Sequence, residues 1–237
     1  MAAPFQFKEF TVQQDRCAMK IGTDGVLLGA WASINHHPFS VLDIGAGTGV
    51  IALMLAQRSS AELIDAVEIE PNAYEQCVEN FEQSPWNDRL FCYHASLAEF
   101  AEEIDDTYDC IISNPPFYED TFTSPEEDRN TARFTESLPF KELLQAVSKL
   151  LSPQGNFSAI IPYKNEEEFC QLATAENLYL NKVTHVQGNK KAPVKRSLLA
   201  FSKQKSSLEQ TNLVIEKDRH IYTEDYKKLV QDFYVKM

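Results

Sequence analysis

The 237-residue chain has no apolar run approaching the roughly 20 residues that cross a bilayer, and no transmembrane segment is expected. Its first residues, MAAPFQFKEF, lack a basic start followed by an apolar stretch, so no secretory signal is expected either. Cysteine is sparse and scattered: five residues, an odd number, without a CxxC pair. That usage fits reduced thiols in a cytoplasmic protein rather than a disulfide frame. Histidine forms one tight pair, His36-His37, in a loop before Pro38, and the clustered ligands of a zinc site are missing, so no metal is expected. Internal repeats and low-complexity segments are also lacking. Basic charge is short, with 22 Lys and Arg against 35 Asp and Glu, a net charge of −13. Such a balance argues against a nucleic-acid partner over most of the surface.

The deficit is uneven. Between Lys182 and Lys205 stand seven basic residues and no acid, whereas Glu99 to Asp109 carries six acids in eleven positions. A local basic patch on an acidic body is compatible with a polyanionic partner.

Short apolar runs alternate with helical patterns. Strands are expected at 39–45, 62–70, 89–95, 108–113 and 156–162, and helices at 48–59, 71–83, 97–104, 139–155 and 165–177. In the helix at 139–155, Pro153 and Gly155 supply the stop. Pro71 stands where a first helical turn tolerates it. This alternation implies a parallel sheet covered on both faces. The pattern ends differently. Segments 178–188 and 196–203 read as two strands joined by a short basic loop, hence an antiparallel hairpin. The tail from 211 has a strand-like piece and an amphipathic helix. It is expected to pack on the parent domain, and the chain to act as a monomer.

In such sheets ligands lie beyond the carboxyl ends of the strands. The first loop there is DIGAGTG, with Asp43, Gly45, Gly47 and Gly49. Its G-x-G-x-G spacing differs from the dinucleotide fingerprint. Asp43, two residues before the first glycine, would repel a pyrophosphate but not a cationic ligand bearing an amino acid. The loop therefore favours S-adenosyl-L-methionine over a nicotinamide cofactor. Glu68, 23 residues after Gly45, can accept both ribose hydroxyls at the end of the second of these strands. Glu70 competes for that role, since both acids share a face, but it directly precedes Pro71 where capping is ordinary.

The remaining signature is Asn114-Pro115-Pro116-Phe117, closing the strand at 108–113. Prolines fix two carbonyls without offering competing N–H donors. Together with VLDIGAGTG and the acidic second strand, this resembles a class I methyltransferase acting on a planar exocyclic amine. The resemblance implies that the Asn114 side chain and the Pro115 carbonyl accept the amine's two hydrogens, and that Phe117 stacks on the base. It implies an α/β Rossmann-like fold with a mostly parallel seven-stranded sheet and a C-terminal antiparallel hairpin.

Over nearly the whole length, including FTVQQDRCAMKIGTDGVLLGAWA (10–32) and TEDYKKLVQDFYVKM (223–237), the chain resembles the bacterial valine-tRNA adenine-37 N6-methyltransferase family. One methyltransferase domain (1–237) follows: an extension (1–38) over the cofactor site, a core (39–205) and a tail (206–237) packed on it. The stretch KIGTDG would lie against the cofactor through Thr23 and Asp24, either of which also suits the N-cap of the following helix. Two positions depart from the family pattern. Phe117 replaces tyrosine, a change also found in enzymes that methylate the guanine amine of ribosomal RNA. Ser96 stands where an Asp usually meets the cofactor's adenine amino group. The substrate would be the anticodon loop of a tRNA; guanine in ribosomal RNA and a protein glutamine are the alternatives. Candidate phosphate partners are Lys190, Lys191, Lys195 and Arg196 on the hairpin, with Arg129 and Arg133 in the long 118–139 connection, read either as a substrate gate or as disorder.

Overall fold

A computed structural model describes residues 3–116 and 139–236. Phe117, Arg129, Arg133 and the 118–139 connection up to residue 138 lie outside the described residues.

A short N-terminal hairpin, β1 (Phe5–Gln6) and β2 (Thr11–Val12), precedes α1 (Thr23–Trp31). Then come β3 (Ser40–Ile44), α2 (Val50–Arg58), β4 (Leu63–Glu68), α3 (Pro71–Glu82), β5 (Leu90–His94), α4 (Leu97–Glu103) and β6 (Tyr108–Ser113). After the undescribed stretch follow α5 (Phe140–Leu150), β7 (Leu151–Pro162), α6 (Glu166–Ala175), β8 (Tyr179–Asn189) and β9 (Val194–Ser202). The chain ends with β10 (Glu209–Asp218), β11 (Ile221–Tyr222) and α7 (Glu224–Val230).

The seven expected strands form one sheet in the order β8-β9-β7-β6-β3-β4-β5. Within these seven, β9 alone runs antiparallel to its neighbours. Two strands extend the expected sheet to nine: β10 pairs parallel with β8, and β11 antiparallel with β10. The tail is thus partly an edge of the sheet, and Thr223 ties α7 to it: its hydroxyl accepts from Tyr226 N–H and donates to the Val214 carbonyl of β10.

Two expectations change in detail. The helix expected to end at Pro153 and Gly155 stops at Leu150, and both residues belong to β7. From Tyr108–Leu151 to Cys110–Asn156 the register advances two residues on β6 and five on β7, so 152–155 form a bulge. A Cβ on Gly155 would stand 2.9 Å from the Asp109 carbonyl. Helix α2 is not amphipathic: every side chain from Val50 to Ala56 is buried, because α1 covers its outer side. Gly29 permits that approach, since a Cβ there would stand 2.8 Å from Met54 Sδ. His36 is engaged structurally, with its ring nitrogens 3.0 Å from the Asp109 carbonyl and 3.1 Å from Asn156 Nδ2.

The crossovers run from β3 outward to β5, then return to β6 on the other side of β3. The chain therefore reverses direction between β3 and β6, and a crevice opens at their carboxyl ends. Ile44 and Ser113 are register partners there, and Ser113 Oγ donates to the Ile44 carbonyl at 2.9 Å. The glycine loop and Asn114 thus leave the sheet side by side.

Candidate active site

On one side of the crevice lies the glycine loop. Gly45, Gly47 and Gly49 all have positive φ (73°, 55° and 77°), a conformation that side-chain-bearing residues rarely adopt. Gly49 is also sterically required, since a Cβ would fall 2.6 Å from the Phe81 ring and 2.8 Å from Cys77 Sγ. Above Gly45 and Gly47 a Cβ would meet nothing within 4 Å, so the space over the loop is open to a ligand.

Two carboxylates hold this loop and the helix that follows it. Glu68, buried at the end of β4, accepts from Gly47 N–H and Glu70 N–H, both at 2.8 Å. The amides of Gly45 and Ala46 donate to the Val67 carbonyl. Asp43 is fully buried and accepts from Ala52 N–H at 3.1 Å through Oδ2. Its Oδ1 is buried and has no hydrogen-bond partner among the described residues. Burial pushes the Asp43 carboxyl up to about 7; the Ala52 amide opposes this and the Glu68 charge adds to it. A buried acid with an unmet oxygen beside an open loop is suited to a cationic ligand.

Glu70 has the other job anticipated for it. It caps α3, accepting from Ala73 N–H at 2.7 Å, and it also accepts from Asn72 Nδ2 at 2.8 Å. Burial alone would push its carboxyl up, but the hydrogen bonds from Ala73 and Asn72 together outweigh it and hold the carboxyl below the usual range.

The N-terminal segment closes this side. Asn80, buried on α3, donates to both the Gln13 and Thr48 carbonyls at 2.9 Å and accepts from Gln13 N–H at 2.8 Å. One amide thereby ties Gln13 to the glycine loop. Gln76 accepts from Arg16 N–H at 3.1 Å, and Arg16 pairs with Glu79 at 2.8 Å. Cys17 packs close enough for the Glu68 charge to add to burial in raising its thiol to about 11. Neither Thr23 nor Asp24 caps α1; Gly22 occupies the N-cap without a side-chain bond. Asp24 instead accepts from Arg196 Nε at 2.8 Å. A proposed cofactor contact and a proposed phosphate contact are thus partners across 172 residues of sequence.

Ser96 follows β5. Its hydroxyl accepts from Glu99 N–H at 3.2 Å while Glu99 Oε2 accepts from Ser96 N–H at 3.0 Å, a complete capping box on α4, and the hydroxyl also donates to that oxygen at 2.7 Å. The pattern S-x-x-E was readable in Ser96-Leu97-Ala98-Glu99. Ile69 was overlooked: it is 54% exposed between Glu68 and Glu70, with its carbonyl 3.1 Å from His94 Nε2. An apolar residue between two acids at a strand end was the available signal.

On the other side of the crevice, Asn114 is half-buried, Pro115 buried and Pro116 exposed. The Asn114 Oδ1 is buried with no hydrogen-bond partner among the described residues. Such an acceptor costs about 1–3 kcal/mol if left unmet. Lys190, Lys191 and Lys195 are exposed at the tip of the β8–β9 hairpin, which Asn189 orders by accepting from the Lys191 and Ala192 amides. Other cations of the basic segment are engaged locally: Lys182 with Glu209, Lys203 with the Leu151 carbonyl and Lys205 over the Tyr179 ring. Among the described residues, no group of three or more His, Cys, Asp or Glu is placed to hold a metal, and no helix is long and apolar enough to cross a membrane.

Comparison with known proteins agrees with this geometry. The methyltransferase small domain family matches residues 26–161. A tRNA1(Val) (adenine(37)-N6)-methyltransferase of Christiangramia forsetii is 58% identical over 99% of this chain and 98% of its own length. Its namesake from Flavobacterium psychrophilum is 59% identical over 98% of this chain and its full length, and that from Bacteroides fragilis is 44% identical over all of both chains. Among solved structures, a predicted O-methyltransferase from Agrobacterium tumefaciens superposes with a TM-score of 0.69 at 17% identity, covering 89% of this chain and 96% of that one. A ribosomal protein L11 methylase from Lactobacillus delbrueckii gives 0.54 at 16%, covering 76% and 77%. At such identities these two structures show the class I methyltransferase fold alone. With sequence agreement running end to end, the chain belongs to the tRNA1(Val) (adenine(37)-N6)-methyltransferase family.

Proposed function

We propose that this chain, acting in the cytoplasm as a monomer, methylates N6 of adenine 37 in the anticodon loop of valine tRNA. The observation that carries the chemistry is the unmet Asn114 Oδ1 beside Pro115, one strand from the glycine loop.

The cofactor side fits S-adenosylmethionine. Asp43 would balance its cationic charge, Glu68 would accept the ribose hydroxyls, and the open space over Gly45 and Gly47 would admit the amino-acid end. Ile69 offers the flat apolar cover that an adenine next to that ribose requires. Thr23, the first residue of α1, would contact the cofactor from the N-terminal wall, and Asp24 ties that helix to the hairpin. Ser96 keeps one lone pair for the adenine amino group while capping α4. When bound, S-adenosylmethionine supplies an electrophilic methyl group.

The chain's own contribution is orientation. The lone pair of an adenine amino group is delocalised into the ring and is a poor nucleophile. Asn114 Oδ1 and the Pro115 carbonyl would accept the two N–H hydrogens, turn the lone pair out of the ring plane and stabilise the charge that grows on nitrogen. Phe117 would stack on the base; stacking needs a ring and not a hydroxyl. A base in an anticodon loop is single-stranded, so extruding it costs less than from a duplex. The hairpin lysines, with Arg129 and Arg133, would meet phosphates.

The test is methyl transfer from labelled S-adenosylmethionine to valine tRNA transcripts carrying A37 or G37, and to ribosomal RNA, followed by nucleoside analysis. N6-methyladenosine only in the A37 transcript is expected. N2-methylguanosine in ribosomal RNA would overturn the reading.

A further inference from the structure

We propose that Tyr163 is a stacking platform for a second nucleotide of the RNA, a neighbour of the reacting base. The inference rests on the function proposed above and adds a subsite to it.

Tyr163 is the first residue after β7, at the carboxyl edge of the sheet. Ser113 on β6 is in register with Ala159 on β7. Pro162 therefore stands about 10 Å beyond the level of Ser113, one strand over. On its other side Pro162 is in register with Arg196 on β9, the strand leading from the lysine-bearing tip. Tyr163 consequently lies between the Asn114 turn and the basic hairpin, on the path of a strand held at both.

Tyr163 is 45% exposed. Its back is fixed. The His185 imidazole meets it edge to face, with centroids 5.1 Å apart and planes at 80°. His185 is 9% exposed, and its Nε2 lies 2.9 Å from Glu166 Oε2. The buried Ser197 hydroxyl donates to the same oxygen. Side chains from β8, β9 and the start of α6 thus converge behind one exposed ring. Nothing in the proposed chemistry uses this network, yet it holds the tyrosine's rear while one flank faces solvent.

An ordered aromatic face is what an unstacked base binds, whatever its identity, because every base has a π-face. The charge around the ring fixes the direction of the backbone. Glu166, Glu167 and one cation, Lys164, line the groove that descends from Tyr163 along α6, and this net negative lining disfavours phosphate there. On the hairpin side Lys195, an exposed cation, precedes Arg196, the register partner of Pro162. The sugar-phosphate chain would therefore pass on the hairpin side, with the base on Tyr163.

The test compares wild type with Tyr163→Ala, Tyr163→Leu and Tyr163→Phe on a valine-tRNA anticodon stem-loop. A second set of stem-loops carries 2-aminopurine at position 36 or 38. Tyr163→Ala and Tyr163→Leu are expected to raise the KM for the stem-loop by about tenfold, with kcat, S-adenosylmethionine affinity and melting temperature unchanged. Tyr163→Phe should match wild type. Fluorescence at one of the two flanking positions should be quenched by wild type and Tyr163→Phe alone. A KM for Tyr163→Ala within about twofold of an active wild type would overturn the platform and leave the function standing. A wild type that leaves A37 unmethylated would overturn both.

Discussion

Two regions meet at the ends of β3 and β6, and they are built differently. On the cofactor side the polar groups near the crevice are held by many internal bonds, and Asp43 Oδ1 is the buried oxygen left unmet. Glu68 takes two amides, the Val67 carbonyl takes two more, Asp43 takes one, and Asn80 fastens the N-terminal segment to the loop. On the substrate side the Asn114 oxygen is unmet, three lysines stand in solvent, and Tyr163 is exposed. The contrast follows from the ligands. A small, constant cofactor rewards a rigid mould whose shape is fixed before binding. A large RNA brings its own shape, so only the atoms that touch the reacting amine need be fixed beforehand.

Breaking the rigid side should have the largest effect. Glu68→Ala strands the Gly47 and Glu70 amides and removes the proposed ribose acceptor. Two charge-assisted bonds of about 1.5 kcal/mol each imply about a hundredfold loss of S-adenosylmethionine affinity by calorimetry. The open side should respond to salt instead. Replacing Lys190, Lys191 and Lys195 by Ala should raise the KM for tRNA by about tenfold at low salt and flatten the log–log salt dependence by about two. Cofactor affinity should not move.

A smaller effect concerns pH. The folded-state Asp43 carboxyl titrates near 7, above its value of about 3.9 in an unfolded chain. Between these values the folded protein holds a proton that the unfolded chain has lost. This contribution to stability is therefore full below about pH 4 and disappears as pH rises through 7. A cation beside Asp43 favours the ionised form, so S-adenosylmethionine affinity should rise with pH across the same range. A drop of about tenfold from pH 8 to pH 6 is expected in wild type, and Asp43→Asn, which can still accept from Ala52, should flatten it. The smallest change sharpens the adenine end. Ser96→Asp, combined with Glu99→Gln so that two carboxylates do not meet in the capping box, keeps a good N-cap for α4 and adds charge toward an amino group, so affinity should tighten about fivefold with little change in melting temperature.

Much of this arrangement was legible in the sequence. The seven core strands follow from period and punctuation, because buried parallel strands and their crossover helices each leave a local pattern. Asp43, the glycines, Glu68 and Asn114 could be singled out because each breaks such a pattern at a strand end. What was hidden is non-local. The Asp24–Arg196 pair joins residues far apart in the chain. Strand β10 enters the sheet only because β8 offers it an edge. Leu151 continues the apolar spacing of α5, so the start of β7 looked helical. Tyr163 reads as an ordinary strand-end residue until His185, Glu166 and Ser197 are seen behind it.

The central claim is that Asn114 orients the amine and does not hold the cofactor. It is tested most directly by one variant with two readouts: Asn114→Ala, measured for S-adenosylmethionine affinity by calorimetry and for single-turnover methylation of valine tRNA. The account predicts an affinity within about twofold of wild type and a rate lower by about a hundredfold or more. An unchanged rate, or a rate loss matched by an equal loss of cofactor affinity, would contradict it.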